Sequence, residues 1–379
     1  MRSPDKAAAP GSAAAGRRFR SLDALRGIAA VAIVAYHLDD RLGWPFWFDN
    51  FYLGVDLFFV LSGFIIYAVY GDAIRDGQAY GRFLWLRLAR IYPLHLATLL
   101  AFIVLQAAVA ARGGSLEAML RPIFAHNDVW SLLANLFAVH GLHLFEGPSF
   151  NIPSWSISTE LYTYVFFGVL FWAGAIGRDR PFLVPVLLAV AAYAWLAART
   201  PSIHVMHDWG FVRNVLGFAL GVVAYGVCIR LPAPSTRALT WMQAVAITAL
   251  LVMLAVSTRR VPYMDYGAPV AFAVLIVACS HDRGGLCPML LRGPFQWLGR
   301  ISYSIYMTHY IVVLLASAAF LDAIREGLIE GTRWMSLGLL LVVTIIVLAL
   351  SHVSYEFLER PARTFLRGLW PRRAATAAA

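Results

Sequence analysis

Long apolar runs recur along this chain of 379 residues, and each is about as long as a bilayer is thick. The runs have roughly 18–22 residues, the length that a helix needs to cross a hydrocarbon core. Hydrophobic residues make up 60% of the sequence and charged residues 14%, whereas soluble domains are about half apolar and a quarter charged. The sequence therefore predicts an all-α fold, a polytopic membrane helix bundle.

The apolar runs predict about ten transmembrane helices. The first run follows a basic segment, but no small-residue cleavage site follows His37, so we interpret it as a retained span and not as a signal peptide. The predicted spans are 22–40, 52–70, 92–111, 155–175, 181–198, 211–229, 240–257, 266–280, 301–320 and 334–356.

The net charge of +10 comes from cations at the ends of apolar runs, not from one basic face, so no nucleic-acid partner is expected. Successive spans place the connecting segments on the two sides of the membrane in turn. The segments on the same side as the N-terminus carry more than twice as many cations as the segments on the other side. The positive-inside rule then predicts cytoplasmic N- and C-termini. The three cysteines lack metal-ligand spacing, so neither a disulfide nor a metal site is expected. The predicted organisation is a disordered tail over 1–18, a transmembrane domain over 19–363 and a short basic cytoplasmic tail over 364–379.

Ionisable residues inside predicted spans are costly and point to function. Arg26 and His37 are eleven residues apart, which places them on one helix face about 16 Å apart along the axis. This face offers an anion-binding group near the cytoplasm and a titratable base near the outer leaflet. The alternative is that Arg26 extends to the interface and His37 marks a helix end.

Two further segments add charged groups. Asp56 in the second span is a natural counter-ion for Arg26 or partner for His37, or else part of a structural ion pair. Arg87 and Arg90, at positions i and i+3, face the same way and suit phosphate, although they also fit ordinary positive-inside decoration.

The segment 154–160 supplies hydroxyls and one carboxylate at the start of the fourth span. Glu160 is predicted at the depth of His37, where it could orient an acceptor or tune the imidazole. A helix cap and an interfacial tryptophan would explain Ser154 and Trp155, but not a carboxylate at Glu160 that enters an apolar run. In the ninth span His309 lies on a polar, aromatic stripe that also suits helix packing. The candidates for acceptor or oxyanion contacts are Ser62, Trp155, Ser156, Tyr303 and His309.

In this setting the sequence resembles the acyltransferase-3 family of integral membrane O-acyltransferases. Six pieces follow the order usual in that family and run through nearly the whole chain. They are FRSLDALRGIAAVAIVAYHL (19–38), GVDLFFVLSGFII (54–66), RLARIYPLH (87–95), SWSISTELYTYVFF (154–167), ISYSIYMTHY (301–310) and YEFLERPAR (355–363).

The resemblance implies a ten-helix enzyme that takes an acyl group, usually acetyl, from cytoplasmic acyl-CoA. The acceptor would be a hydroxyl of an envelope glycan, a lipid-linked sugar or another small molecule, and the location a bacterial inner membrane. Arg26, Arg87 and Arg90 would hold the phosphates of the donor, and His37 would act as general base, with Glu160 and Asp56 as further catalytic candidates. Some relatives carry an outer-side esterase-like domain, which this chain is expected to lack. A separate protein of that type, or a second copy of the chain, is then an expected partner.

A membrane transporter or flippase for a sugar-like or lipid-like substrate is the alternative, because intramembrane charges also mark transport pathways. The absence of an internal sequence repeat argues against it. A structural scaffold or sensor comes last, since it has no use for buried titratable groups.

Overall fold

The computed structural model describes residues 18–43, 48–177, 182–256 and 261–371. Most of both predicted tails, namely 1–17 and 372–379, lies outside the described residues. The helix Arg360–Gly368 crosses the predicted boundary between the transmembrane domain and the carboxyl-terminal tail.

The described residues form α-helices joined by turns and loops, with no β-strand among them. The helices are α1 Arg20–Leu42, α2 Gly54–Tyr70, α3 Gly77–Arg112, α4 Gly114–Leu120, α5 Val129–Leu136, α6 Trp155–Trp172, α7 Leu183–Ala197, α8 Gly210–Arg230, α9 Thr236–Ala255, α10 Ala268–Cys279, α11 Cys287–Leu290, α12 Gly293–Arg325, α13 Arg333–Ser354 and α14 Arg360–Gly368. Short 3₁₀ turns cover Asp49–Leu53, Ile152–Ser154 and Met264–Gly267, and a π-helical turn covers Tyr355–Glu359.

Each of the ten predicted spans contains a helix, because hydrocarbon forces the backbone of a spanning segment to satisfy its own hydrogen bonds. Within the described residues, seven helical segments are long and apolar enough to cross a membrane. Two more, Leu183–Ala197 and Met264–Cys279, are apolar but shorter. The number of ten spans and the orientation of the termini stay predictions.

The third predicted span is part of a much longer helix. Helix α3 begins at Gly77, where the side chain of Asp76 accepts a hydrogen bond from the backbone N–H of Ala79 at 2.7 Å. The helix continues through Pro93, so Arg87 and Arg90 lie inside a helix and not in a loop before it.

The outside of the bundle is apolar. Leu100 on α3, Val245 on α9 and Leu341 on α13 are 61%, 64% and 63% exposed. Exposed apolar side chains on this scale suit lipid and not water. The chain is an integral membrane protein.

Two close helix pairs position the interior. Helix α1 packs along α12, and α2 packs against α8. At Gly63 a Cβ atom would overlap the backbone of Phe218 on α8. Gly63 therefore permits the close approach of α2 and α8.

Candidate active site

Helices α1, α2, α3, α6 and α12 enclose a cavity of about 100 Å³. Its polar wall consists of Arg26, Arg87, Arg90, Glu160, Ser62, Ser156, Tyr164, Ser302, Tyr303 and Tyr306. Its apolar wall consists of Val55, Phe58, Phe59, Leu61, Ile65, Ile66, Ile91 and Ile157. Seven of the residues singled out from the sequence meet here: Arg26, Arg87, Arg90, Glu160, Ser62, Ser156 and Tyr303.

Three arginines from two helices face the cavity. Arg26 comes from α1, where its guanidinium lies 3.6 Å from the carboxylate of Asp23. Arg87 and Arg90 come from one face of α3, as their spacing predicts. Arg87 donates a hydrogen bond to the hydroxyl of Tyr70 at 3.1 Å, and its Nε is buried without a partner among the described residues. Guanidinium groups with donor capacity left over suit an anion with several oxygens.

A carboxylate with two hydroxyl partners faces these arginines. Ser62 donates to Oε1 of Glu160 at 3.1 Å, and Tyr164 donates to the same oxygen. The hydroxyl oxygens of Ser62 and Tyr164 are 2.8 Å apart. Tyr164 was not a sequence candidate, although its place one helical turn after Glu160 was a usable signal.

Glu160, which the sequence predicts at the depth of His37, has other partners in the structure. The partners of its carboxylate are Ser62 and Tyr164, and it interacts electrostatically with Arg26 and Arg90. The carboxylate of Glu160 therefore shares the cavity with the three arginines.

A pair of hydroxyls bounds another part of the cavity. Ser156 and Tyr306 have their hydroxyl oxygens 2.7 Å apart, and both are within hydrogen-bond distance of the carbonyl oxygen of Pro153. The ring of Tyr306 lies 5.9 Å from that of His309, a residue one turn further along α12. Tyr306 thus connects the cavity wall to His309.

His37 lies beyond the cavity wall. Its imidazole stacks on that of His309 with ring centroids 5.1 Å apart, and it contacts the rings of Tyr36 and Tyr310. The Nδ1 atom of His309 lies 2.7 Å from the carbonyl oxygen of Tyr306, which makes it the protonated nitrogen. Its Nε2 is buried without a hydrogen-bond partner in the described structure.

Two sequence candidates have a different setting from the predicted one. Asp56 does not pair with Arg26 or His37: it forms a two-pronged ion pair with Arg213 at 2.9 and 2.7 Å, and both side chains are 1% exposed. Trp155 does not line the cavity but packs against Gly210 of α8. The structural ion pair is therefore the correct alternative for Asp56, and Arg213 is the partner that sequence reasoning missed.

The described residues contain no group of three or more His, Cys, Asp or Glu side chains that could hold a metal ion. Three arginines line the cavity, and arginine binds anions by hydrogen bonds and charge.

Comparison with known proteins gives consistent matches. Residues 19–355 match the acyltransferase-3 family model, described as "Acyltransferase domain". "Putative peptidoglycan O-acetyltransferase YrhL" of Bacillus subtilis is 27% identical over 92% of this chain and 55% of its own length. "Peptidoglycan O-acetyltransferase OatA" of Listeria monocytogenes is 23% identical over 90% of this chain and 55% of its own length. "Acyltransferase MdmB" of Streptomyces mycarofaciens is 26% identical over 78% of this chain and 79% of its own length.

The chain thus spans about half the length of the first two relatives. No solved structure matches it. The family match covers most of the chain and includes every helix that lines the cavity. The chain belongs to the acyltransferase-3 family of integral membrane O-acyltransferases.

Proposed function

We propose that this protein transfers an acyl group, in the simplest case acetyl, from cytoplasmic acyl-CoA to a hydroxyl of a glycan, a lipid-linked sugar or another small acceptor. The observation that carries the proposal is the cavity between helices α1, α2, α3, α6 and α12, which three guanidinium groups line and whose wall residue Tyr306 contacts the stacked pair of His37 and His309 through His309. The peptidoglycan O-acetyltransferase names of two relatives favour a glycan acceptor.

We assign the binding of the acyl-CoA donor to the three arginines of the cavity. Arg26, Arg87 and Arg90 bring three positive charges to one cavity, where Glu160 is the one carboxylate in the wall. Acyl-CoA carries phosphates at one end and a thioester at the other end of a long arm. Arginine binds phosphate with two parallel hydrogen bonds, so the cluster suits the phosphates better than it suits the thioester.

His37 is the proposed general base. The acceptor hydroxyl attacks the thioester carbonyl carbon, and its proton passes to the imidazole of His37. The new C–O bond forms as the C–S bond breaks, and the imidazolium of His37 returns the proton to the departing thiolate of CoA, which leaves His37 neutral again. General-base help of this kind is worth about 10²–10⁴-fold. An acyl-histidine intermediate is a second form of the same proposal.

The proposed path of the thioester to His37 runs along Tyr306, because this residue lines the cavity and its ring lies 5.9 Å from that of His309. The hydroxyl of Ser156 is beside it at 2.7 Å. Either hydroxyl is placed to donate a hydrogen bond to the developing oxyanion. Ser62 and Tyr303 are candidates of the same kind: Ser62 donates to Glu160 and Tyr303 to the carbonyl oxygen of Ile91 at 2.6 Å, while Ser156 and Tyr306 bond to each other and to the carbonyl oxygen of Pro153, so each hydroxyl would exchange an existing bond for the oxyanion.

We place both termini in the cytoplasm and the protein in a bacterial inner membrane. The distribution of cations and the family membership support this assignment. In this orientation the arginines lie toward the donor side and His37 toward the acceptor side.

The test uses the full chain in lipid nanodiscs with radiolabelled acetyl-CoA, followed by mass spectrometry of envelope glycans from cells with and without the protein. We expect label transfer and a glycan mass increase of one acyl group. His37→Gln should lower the transfer rate by about 10²–10⁴-fold while the protein stays folded. Substrate uptake without a covalent product would refute the proposal in favour of a transporter.

Donor binding is tested separately. Arg87→Ala and Arg90→Ala should raise the KM for acetyl-CoA, because each removes charge-assisted hydrogen bonds to phosphate. The matched control is Arg82→Ala, an exposed arginine of the same helix that does not line the cavity. An unchanged donor KM in the two cavity variants would contradict the assignment of the cluster.

A further inference from the structure

A fully buried carboxylate organises the loop between α7 and α8. Asp265 is 1% exposed and its Oδ2 accepts hydrogen bonds from the hydroxyl of Tyr52 at 2.6 Å, the hydroxyl of Ser202 at 2.5 Å and the backbone N–H of Ile203 at 2.9 Å. Hydrogen bonds to a buried charge are among the stronger ones in proteins. Residues 202–203 of this loop are therefore held firmly.

A second buried charge holds the loop on the other side of His204. Arg213, which is paired with Asp56, also donates to the carbonyl oxygen of Val205 at 3.0 Å. His204 is thus an exposed residue between two anchored neighbours, Ile203 and Val205. The two charges that hold this loop are buried, and burying each of them costs free energy because it loses its hydration.

The anchored loop places His204 beside the proposed base. Its Nε2 lies 3.1 Å from the hydroxyl of Tyr36, and its ring stacks on that of Tyr52 with centroids 4.1 Å apart. The ring of Tyr36 is in turn 4.8 Å from that of His37. His204, Tyr36 and His37 therefore form a continuous row from the surface to the base.

This row lies at a different level from the arginine cavity. Tyr36 and Arg26 are ten residues apart on α1, which is about 15 Å along the helix axis. Neither His204 nor Tyr36 lines the cavity. A second substrate can therefore approach His37 without entering the space that the arginines surround.

We propose that Tyr36 and His204, whose exposed ring stacks on the buried Tyr52, form the acceptor site, and that its ligand is a sugar ring. The proposal rests on the function proposed above, in which His37 takes the proton of an acceptor hydroxyl. Imidazole and phenol groups can each donate or accept a hydrogen bond, which suits neighbouring sugar hydroxyls. Aromatic rings add an apolar surface for the C–H face of the sugar. Tyr36 and His204 hold and orient the ring, and His37 receives one hydroxyl.

The test measures sugar contact directly and does not depend on turnover. The probe is the disaccharide of N-acetylglucosamine, added to the full chain in nanodiscs, and the readout is saturation-transfer NMR. We expect a signal with the wild-type protein and a loss of at least several-fold in His204→Ala and Tyr36→Phe. The control is His207→Ala on the same loop, whose imidazole contacts the carbonyl oxygen of Glu146 instead and should keep the full signal.

Two results would overturn this site: no sugar contact in the wild-type protein, or equal contact in wild-type, His204→Ala and Tyr36→Phe proteins. Failure of the underlying function has a different signature, because it removes acyl-CoA-dependent transfer even in the wild-type protein. A merely structural role for His204 would lower thermal stability and raise the donor KM together, so both are measured on the same samples. A changed sugar signal with an unchanged donor KM supports the acceptor site.

Discussion

Breaking the ion pair between Asp56 and Arg213 should destabilise the protein far more than replacing both partners together. The two side chains are 1% exposed and are joined by hydrogen bonds of 2.9 and 2.7 Å. Asp56→Leu leaves a buried guanidinium without its counter-ion, and Arg213→Met leaves a buried carboxylate. Either change should lower the free energy of unfolding by about 3–5 kcal/mol.

The double variant is the decisive measurement. If the two losses were independent, their effects would add to about 6–10 kcal/mol. With both charges gone, the main remaining cost is the carbonyl oxygen of Val205, which loses its hydrogen bond from Arg213. An unsatisfied buried acceptor costs about 1–3 kcal/mol, which is the loss that we expect for the double variant.

The assay is unfolding by SDS in mixed micelles, with the free energy of unfolding measured for the wild type, both single variants and the double variant. A coupling energy of several kcal/mol would establish the pair as the source of the effect. A double variant that loses as much as the two single variants together would refute this reasoning, because Asp56 and Arg213 would then act separately.

Three further changes test other parts of the structure. Gly63→Ala should lower stability in the same assay, because its Cβ would overlap the backbone of Phe218, whereas Gly338→Ala, with nothing within 4 Å, should be neutral or stabilising by up to about 1 kcal/mol; equal effects would contradict close packing at Gly63. Tyr164→Phe should reduce the transfer rate without loss of folding, since it removes one of the two hydroxyls that hold the carboxylate in the cavity, and an unchanged rate would exclude that role. Burial lowers the pKa of His140 to about 3, so the unfolded chain binds the extra proton and stability should fall as the pH drops from about 6.5 toward 3. His140→Asn should flatten the dependence of the free energy of unfolding on pH over this range. An unaltered slope would show that another group titrates.

The sequence by itself determined the membrane class, a helix within each long apolar run and the helix face that carries Arg87 and Arg90. These properties are local, because hydrophobic length and helical spacing depend on neighbouring residues only. The spacing of Arg26 and His37 on α1 also predicted that the arginine and the base stand at different levels. The order of six short motifs was enough to indicate the family, which the comparison with known proteins then established.

Only the tertiary structure decided which polar groups meet. Asp56 and Arg213 are 157 residues apart, and nothing in the local sequence of either indicates the other. Glu160 joins Ser62 across 98 residues, because the packing of α6 against its neighbours brings the two side chains together. A buried charge must find a partner within a few ångströms, and which partner is within reach depends on how distant helices pack.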